Sequence, residues 1–424
     1  MTSNLARAVF EMAAADTRSD GGLTGDARAS EPSNFLRHVL ALTSSKVADG
    51  LINPKLVLSW LVIQLGAGTF WAGLLVPVRE AGALLPQLFT AGAIHGLPRR
   101  RNAWAYGAIG QGIAAAGIVA AGLTLDGGLA GAVIVGLLGV LALSRSVCSV
   151  AYKDVLGKTI GKRRRGTATG LASSISSVAV VLFAIALMLQ IADRYVLVIA
   201  AVVLASAAWL IAGLVFFGIE EESSPGKRLG AWASVAQLRL LRDDPQLRRF
   251  VIVRSLLVGT ALAPPYLVTL GSGGNGLETL GALVLASAVA SLASSFVWGR
   301  LSDKSSRWVL ILSGVSGAAA LAAAVLFGTL KAPWILPAIL FVLMIAYHGV
   351  RQGRSTYLVD MARPSERAAF TAVANTSVGV FLLAMGAAYA AMASYSVPLV
   401  LGLMIVMCLA GAAFALGLDE VEDG

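Results

Sequence analysis

The chain has 424 residues, of which 57% are hydrophobic and only 13% charged, with a formal net charge of +10. Soluble domains carry about 25% charged residues, so this composition excludes an ordinary water-soluble fold. The positive balance would suit nucleic acid, but the basic residues sit in short loops between apolar runs. There each Lys or Arg near an anionic leaflet contributes about 1 kcal/mol, so lipid contact accounts for the charge and no nucleic-acid partner is expected.

Residues 1–35 mix Ala, Asp, Arg, Ser and Gly without an apolar core. They do not form a signal peptide, and a disordered cytoplasmic tail is expected. Beyond them, twelve apolar runs follow one another. Each is close to the roughly 20 residues that cross a bilayer as a helix. The first six are expected at 36–60, 72–97, 103–123, 128–150, 167–191 and 195–217. The second six are expected at 250–270, 277–298, 308–330, 334–357, 370–392 and 397–416.

Basic residues fall in alternate loops. Arg99 to Arg101 follow the second run, Lys158 and Lys162 to Arg165 the fourth, and Lys227 to Arg249 the sixth. Arg300, Lys304 and Arg307 follow the eighth, and Arg363 and Arg367 the tenth. The intervening loops hold only Arg194 and Lys331. Short basic loops stay cytoplasmic, so both termini are expected in the cytoplasm of a multi-pass protein of the plasma (inner) membrane.

The first run carries Lys46 and Asp49 on one helix face, ahead of Gly50 and Asn53-Pro54, which would loosen the helix. The second carries Arg79 and Glu80. A charge at the bilayer centre costs at least about 2.5–3.5 kcal/mol, so cross-pairing of Asp49 with Arg79 and of Lys46 with Glu80 is expected. Two roles are open. The quartet holds two helices together, or Asp49 or Glu80 takes up and releases a proton. Arg145 in the fourth run and Arg351 in the tenth occupy matching places, with His348 on the face of Arg351. These three either snorkel to the interface or line a path for an anionic substrate. Arg354 reads as a surface residue, and His38 and His95 as interfacial.

The connection 218–249 opens with Glu220-Glu221-Glu222, and then Trp232, Val235, Leu238 and Leu241 recur at helical spacing. An amphipathic helix at the cytoplasmic interface is expected there, dividing the chain into bundles 36–217 and 250–417 with a short tail at 418–424. Cys148 and Cys408 lie alone in apolar runs, without disulfide or metal spacing. Three scattered histidines, no nucleophile motif and no phosphate loop leave nothing for an enzyme, an ATP-driven pump, a metal or a cofactor.

The most specific segment is Gly299-Arg300-Leu301-Ser302-Asp303-Lys304-Ser305-Ser306-Arg307, between the eighth and ninth runs. It resembles the cytoplasmic Gly-x-x-x-Asp-Arg/Lys-x-Gly-Arg loop of the major facilitator superfamily. That resemblance implies an all-α fold of two pseudo-symmetric six-helix bundles. It also implies a latch formed by Gly299, Asp303, Lys304 and Arg307, with Asp303 capping a helix and pairing with a basic residue. Ser306 departs from the motif's Gly, the matching loop at 96–101 has no acidic residue, and 166–174 lacks the Pro found in many drug antiporters of the family. The expected function is secondary active transport of a small solute by alternating access, proton-coupled, by a monomer. The alternatives are an efflux antiporter for a drug or metabolite, or a facilitator-like sensor or assembly protein that no longer transports.

Overall fold

The computed structural model describes residues 10, 23, 25–87, 90, 93–94, 96–224, 237–271, 280–330, 332–363 and 366–421. Among these the secondary structure is helical, with no strand. The first half contains α1 (Gly25–Leu51), α2 (Val57–Gln64), α3 (Thr69–Leu84), α4 (Arg100–Thr124), α5 (Gly127–Thr159), α6 (Arg165–Met188) and α7 (Arg194–Phe217). The second contains α8 (Pro245–Leu256), α9 (Gly259–Leu262), α10 (Pro264–Gly271), α11 (Leu280–Ser302), α12 (Ser306–Phe327), α13 (Ile335–Met361), α14 (Arg367–Ala393) and α15 (Val397–Ala415).

Ten helical segments, with Pro245–Gly271 taken as one, are long and apolar enough to cross a membrane. They match ten of the twelve expected runs. The other two do not qualify individually, for a local reason. Asn53-Pro54 separates α1 from the 8-residue α2. The Asn53 carbonyl accepts from Leu56, Val57 and Leu58, and its side chain from the Lys55 amide. α3 is described for 16 residues. Pro264-Pro265 likewise breaks the seventh run between α9 and α10.

Helix starts follow their sequence signals. Asp244 caps α8 ahead of Pro245, Asp193 caps α7, and Ser396 caps α15. Small residues allow close packing: a Cβ at Gly107 in α4 would sit 2.9 Å from the Ser144 carbonyl of α5. Both cysteines are buried and unbridged. Large apolar side chains such as Phe296, Leu214 and Leu182 are exposed on the outer helix faces, where lipid would cover them.

The helix begins well before the expected boundary. Residues 25–35 belong to α1 and are tied down, so the tail reading fails for them. Glu31 accepts from the Gly161 amide at 2.9 Å and pairs with Arg164 at 2.7 Å. Asn34 exchanges hydrogen bonds with the backbone of Glu220. Glu220 also accepts from Ser30 at 2.6 Å and Arg37 at 3.2 Å, which hold its carboxyl below the usual carboxylate range. His38 is fully buried within the protein, 2.8 Å from Thr159 and edge-on to Tyr152 and Phe216. His95, Trp232 and Val235 lie outside the described residues. Leu238 and Leu241 stand in a short helical stretch at 237–243.

The second half ends in the same way as the first begins. The Leu418 carbonyl and the Glu420 carboxylate meet Arg307, and Asp419 meets Tyr357. The described segments nearest the two ends, 25–37 and 418–420, define one face of the bundle, called the terminal face below.

Candidate functional site

The two halves touch unevenly. α3 packs on α14, and α6 on α11, while α10 meets α2 and α3. Towards the face opposite the termini, Thr69 donates to the Ala393 carbonyl at 3.3 Å. Gly73 leaves no room for a Cβ against Tyr266 and Ala390, nor does Gly386 against Pro77. Gly281 is pressed onto Ala184 and Met188 in the same manner. Towards the terminal face the halves part around a cavity of about 710 Å³. Its lining includes Lys153 of α5, Arg254 of α8, Ser294 of α11, His348, Arg351 and Arg354 of α13, and Asn375 of α14. Gly299, near the end of α11, is at its rim.

The lining is cationic. Lys153, Arg254, Arg351 and Arg354 contribute four positive side chains, and no Asp or Glu is among the lining residues. Arg254 is 5% exposed. It donates to the Asn375 side-chain oxygen at 2.8 Å, Asn375 donates on to Gln87 of the first half at 3.0 Å, and Arg254 Nε has no partner. None of the four cations forms an ion pair among the described residues. Between the halves, the Lys55 ammonium lies over the Tyr347 ring, joining the break after α1 to α13.

The four charges expected to form a quartet divide. Asp49 accepts from Arg79 at 2.8 Å and from Arg145 at 2.7 Å, so α1, α3 and α5 share one carboxylate. Arg145 also reaches Ser45 at 3.3 Å. Lys46 does not meet Glu80 and instead donates to Ser173 of α6. Glu80 takes no hydrogen bond or ion pair among the described residues. Its field comes from Lys55, Arg354, Arg79 and Arg351. The candidate anion path through Arg145, His348 and Arg351 also divides: His348 and Arg351 line the cavity, whereas Arg145 is engaged by Asp49.

In the loop between α11 and α12, the helix cap is Ser305 and not Asp303. The Ser305 hydroxyl accepts from the Trp308 amide at 3.2 Å and donates to Glu420 at 2.8 Å. Register explains this, because only Ser305 immediately precedes the first helical residue. Arg307 pairs with Glu420 at 2.8 Å, and Asp303 and Lys304 are exposed.

Sequence reading missed Lys55 and Arg254, although both are charges inside expected runs and the cost argument applied to Asp49 applies to them too. It also placed Arg354 at the surface, and Lys153 was hidden at the end of a long helix whose direction only the packing reveals.

The sequence matches the Major Facilitator Superfamily over residues 39–376. No curated protein matches the chain at a significant level. Among solved structures, a D-xylose-proton symporter aligns with a TM-score of 0.68 at 12% identity, covering 92% of this chain and 98% of that one. The xylose transporter XylE from E. coli, in a partially occluded inward-open conformation, aligns at 0.65 and 11%, covering 92% and 99%. The nucleoside transporter NupG aligns at 0.67 and 11%, covering 91% and 98%. At such identities the likeness concerns the fold.

Proposed function

The chain belongs to the major facilitator superfamily, and from that premise we propose that it is a proton-coupled secondary transporter working by alternating access. Membrane transport of a solute follows from the family, and so does the absence of an enzymatic role. The coupling, the cycle and the orientation are our reading. The observation that carries it is the asymmetry of the halves: closed by small-residue contacts at one face and parted by a cavity at the other. Bundles 36–217 and 250–417 would rock about that cavity, exposing it to each side in turn.

Of the two candidate coupling carboxylates, Glu80 suits the task better. Asp49 is held by two guanidinium groups, and each would lose its partner on protonation. Among the described residues Glu80 has no hydrogen bond or ion pair and stands in the field of Lys55, Arg354, Arg79 and Arg351. The proton affinity of such a group changes as cations approach or retreat, which is what coupling to a conformational change requires.

The terminal face carries the basic loops, so we place it in the cytoplasm of the inner membrane. The cavity then opens inward. Asp303, exposed and without an ion pair among the described residues, would engage only when the cavity closes to the cytoplasm.

The test is flux in proteoliposomes of the purified protein, with and without an imposed proton gradient. Gradient-driven accumulation of a solute, with proton movement alongside it, is the expected result. Solute binding with no flux in either condition would place the protein with sensors instead.

A further inference from the structure

We infer that the cavity takes a small organic anion, a solute bearing carboxylate or phosphate groups. This rests on the transport reading for its biological sense, but the binding chemistry stands separately. Arg254 is almost fully buried, its guanidinium finds only a neutral amide oxygen, and its Nε has no partner. Buried charges are normally paired, and an unpaired one is kept where something else neutralises it. At Arg254 the like charge of Arg354 outweighs the opposing field of Glu80, so that carboxylate does not make good the deficit. Among the described residues Arg351 and Lys153 open onto the same space without an ion pair, and Glu80 acts on Arg351 only through its field.

A neutral sugar would leave this charge uncompensated, and a cation would add to it. A carboxylate or phosphate group supplies the missing acceptor, and guanidinium groups match its planar or trigonal oxygens in pairs. Ser294, Asn375 and His348 line the same cavity and can hold hydroxyl or carbonyl groups on the rest of the molecule. About 710 Å³ admits a ligand well beyond an inorganic ion.

The experiment uses the purified full-length protein and four probes: succinate, glycerol 3-phosphate, xylitol and putrescine. Binding is read as a saturable rise in melting temperature, and transport as uptake into proteoliposomes. Binding of succinate or glycerol 3-phosphate, but not of xylitol or putrescine, is expected. The stronger of the two anions separates carboxylate from phosphate recognition. Arg351→Gln, at an exposed position in the cavity, should weaken anion binding by at least about tenfold, the loss of a charge-assisted hydrogen bond. Arg254→Gln should do the same. If it does not fold, Arg254→Lys keeps the charge and should bind with reduced affinity, because the fork geometry is lost.

Response to xylitol or putrescine alone overturns the inference and leaves the transport reading standing. An anion that binds and is never carried across supports the inference and sinks the transport reading. No response to any of the four, or an anion response that survives Arg351→Gln and either Arg254 variant unchanged, also overturns it.

Discussion

Arg79 donates to Asp49 across the first two crossing segments at 2.8 Å, and Arg145 takes the other oxygen of the same carboxylate at 2.7 Å. One acid thus neutralises part of two cations from separate helices. The triad is a bolt between α1, α3 and α5, which all belong to the first half.

Asp49→Asn should therefore act on stability first. Removing one member of a largely buried ion pair strands its partners, at a cost of roughly 3 kcal/mol. A fall in melting temperature, with any residual transport still responsive to the gradient, is the expected result. Asp49→Asn with Arg79→Gln should recover only part of the loss, because Arg145 remains stranded; adding Arg145→Gln should recover more. An Asp49→Asn protein as stable as the wild type would remove the bolt.

Glu80→Gln should separate coupling from stability. With no fixed partner to strand, the variant should keep a near-normal melting temperature and still exchange solute across the membrane. Accumulation driven by a proton gradient should disappear. Lys46→Met should not compensate, because Lys46 is engaged by Ser173. Undiminished gradient-driven accumulation by Glu80→Gln would move the proton site elsewhere.

Ser305 and Asp303 should give opposite signatures. Ser305→Ala removes a helix cap, worth about 1 kcal/mol, together with the tether to Glu420, so it should lower stability. Asp303→Asn should leave melting unchanged and slow the transport cycle, because its partner would form in the other conformation. Equal, wild-type turnover in Asp303→Asn and Arg307→Ala would reduce the loop to an anchor.

Reporter fusions test orientation. Those after Arg101, Arg165 and Ser305 should read cytoplasmic, and those near Asp126, Arg194 and Lys331 should read the opposite side. A cytoplasmic reading at Lys331 would break the alternation on which the topology depends.

The helical architecture was legible in the sequence because hydropathy over about 20 residues needs no knowledge of neighbours. The loop at 299–307 identified the family for the same local reason. The site was legible only in part. Arg79 pairing with Asp49 follows from antiparallel neighbours, but Arg145 belongs to a helix that meets α1 only after the bundle has closed. Ser173 claims Lys46 from yet another helix. Which cations share a cavity depends on helix rotation, and a residue such as Arg354 near a helix end reads alike whether it faces solvent or the space between the halves.

Gly386 offers a test of the cycle itself. Its backbone lies against Pro77, so tightly that a Cβ would overlap the proline ring. That contact helps close the halves at the face opposite the termini, beside the Thr69 bond to Ala393. A bulky side chain there is a wedge between α3 and α14. Overpacking of a close contact costs about 1–3 kcal/mol, and here the strain can be relieved by parting the two helices. Gly386→Leu should therefore disfavour the conformation described here and populate the one open to the opposite face. The readout is labelling of single cysteines by a membrane-impermeant thiol reagent in inside-out vesicles, where the proposed orientation turns the terminal face outward. In a background lacking Cys148 and Cys408, a cysteine at Ser295 in the cavity should label readily in the parent and slowly with Gly386→Leu. One at Ser316, on the ninth crossing away from the contact, should label alike in both. Unchanged labelling at position 295 in a folded Gly386→Leu protein would mean that the halves do not part at this contact.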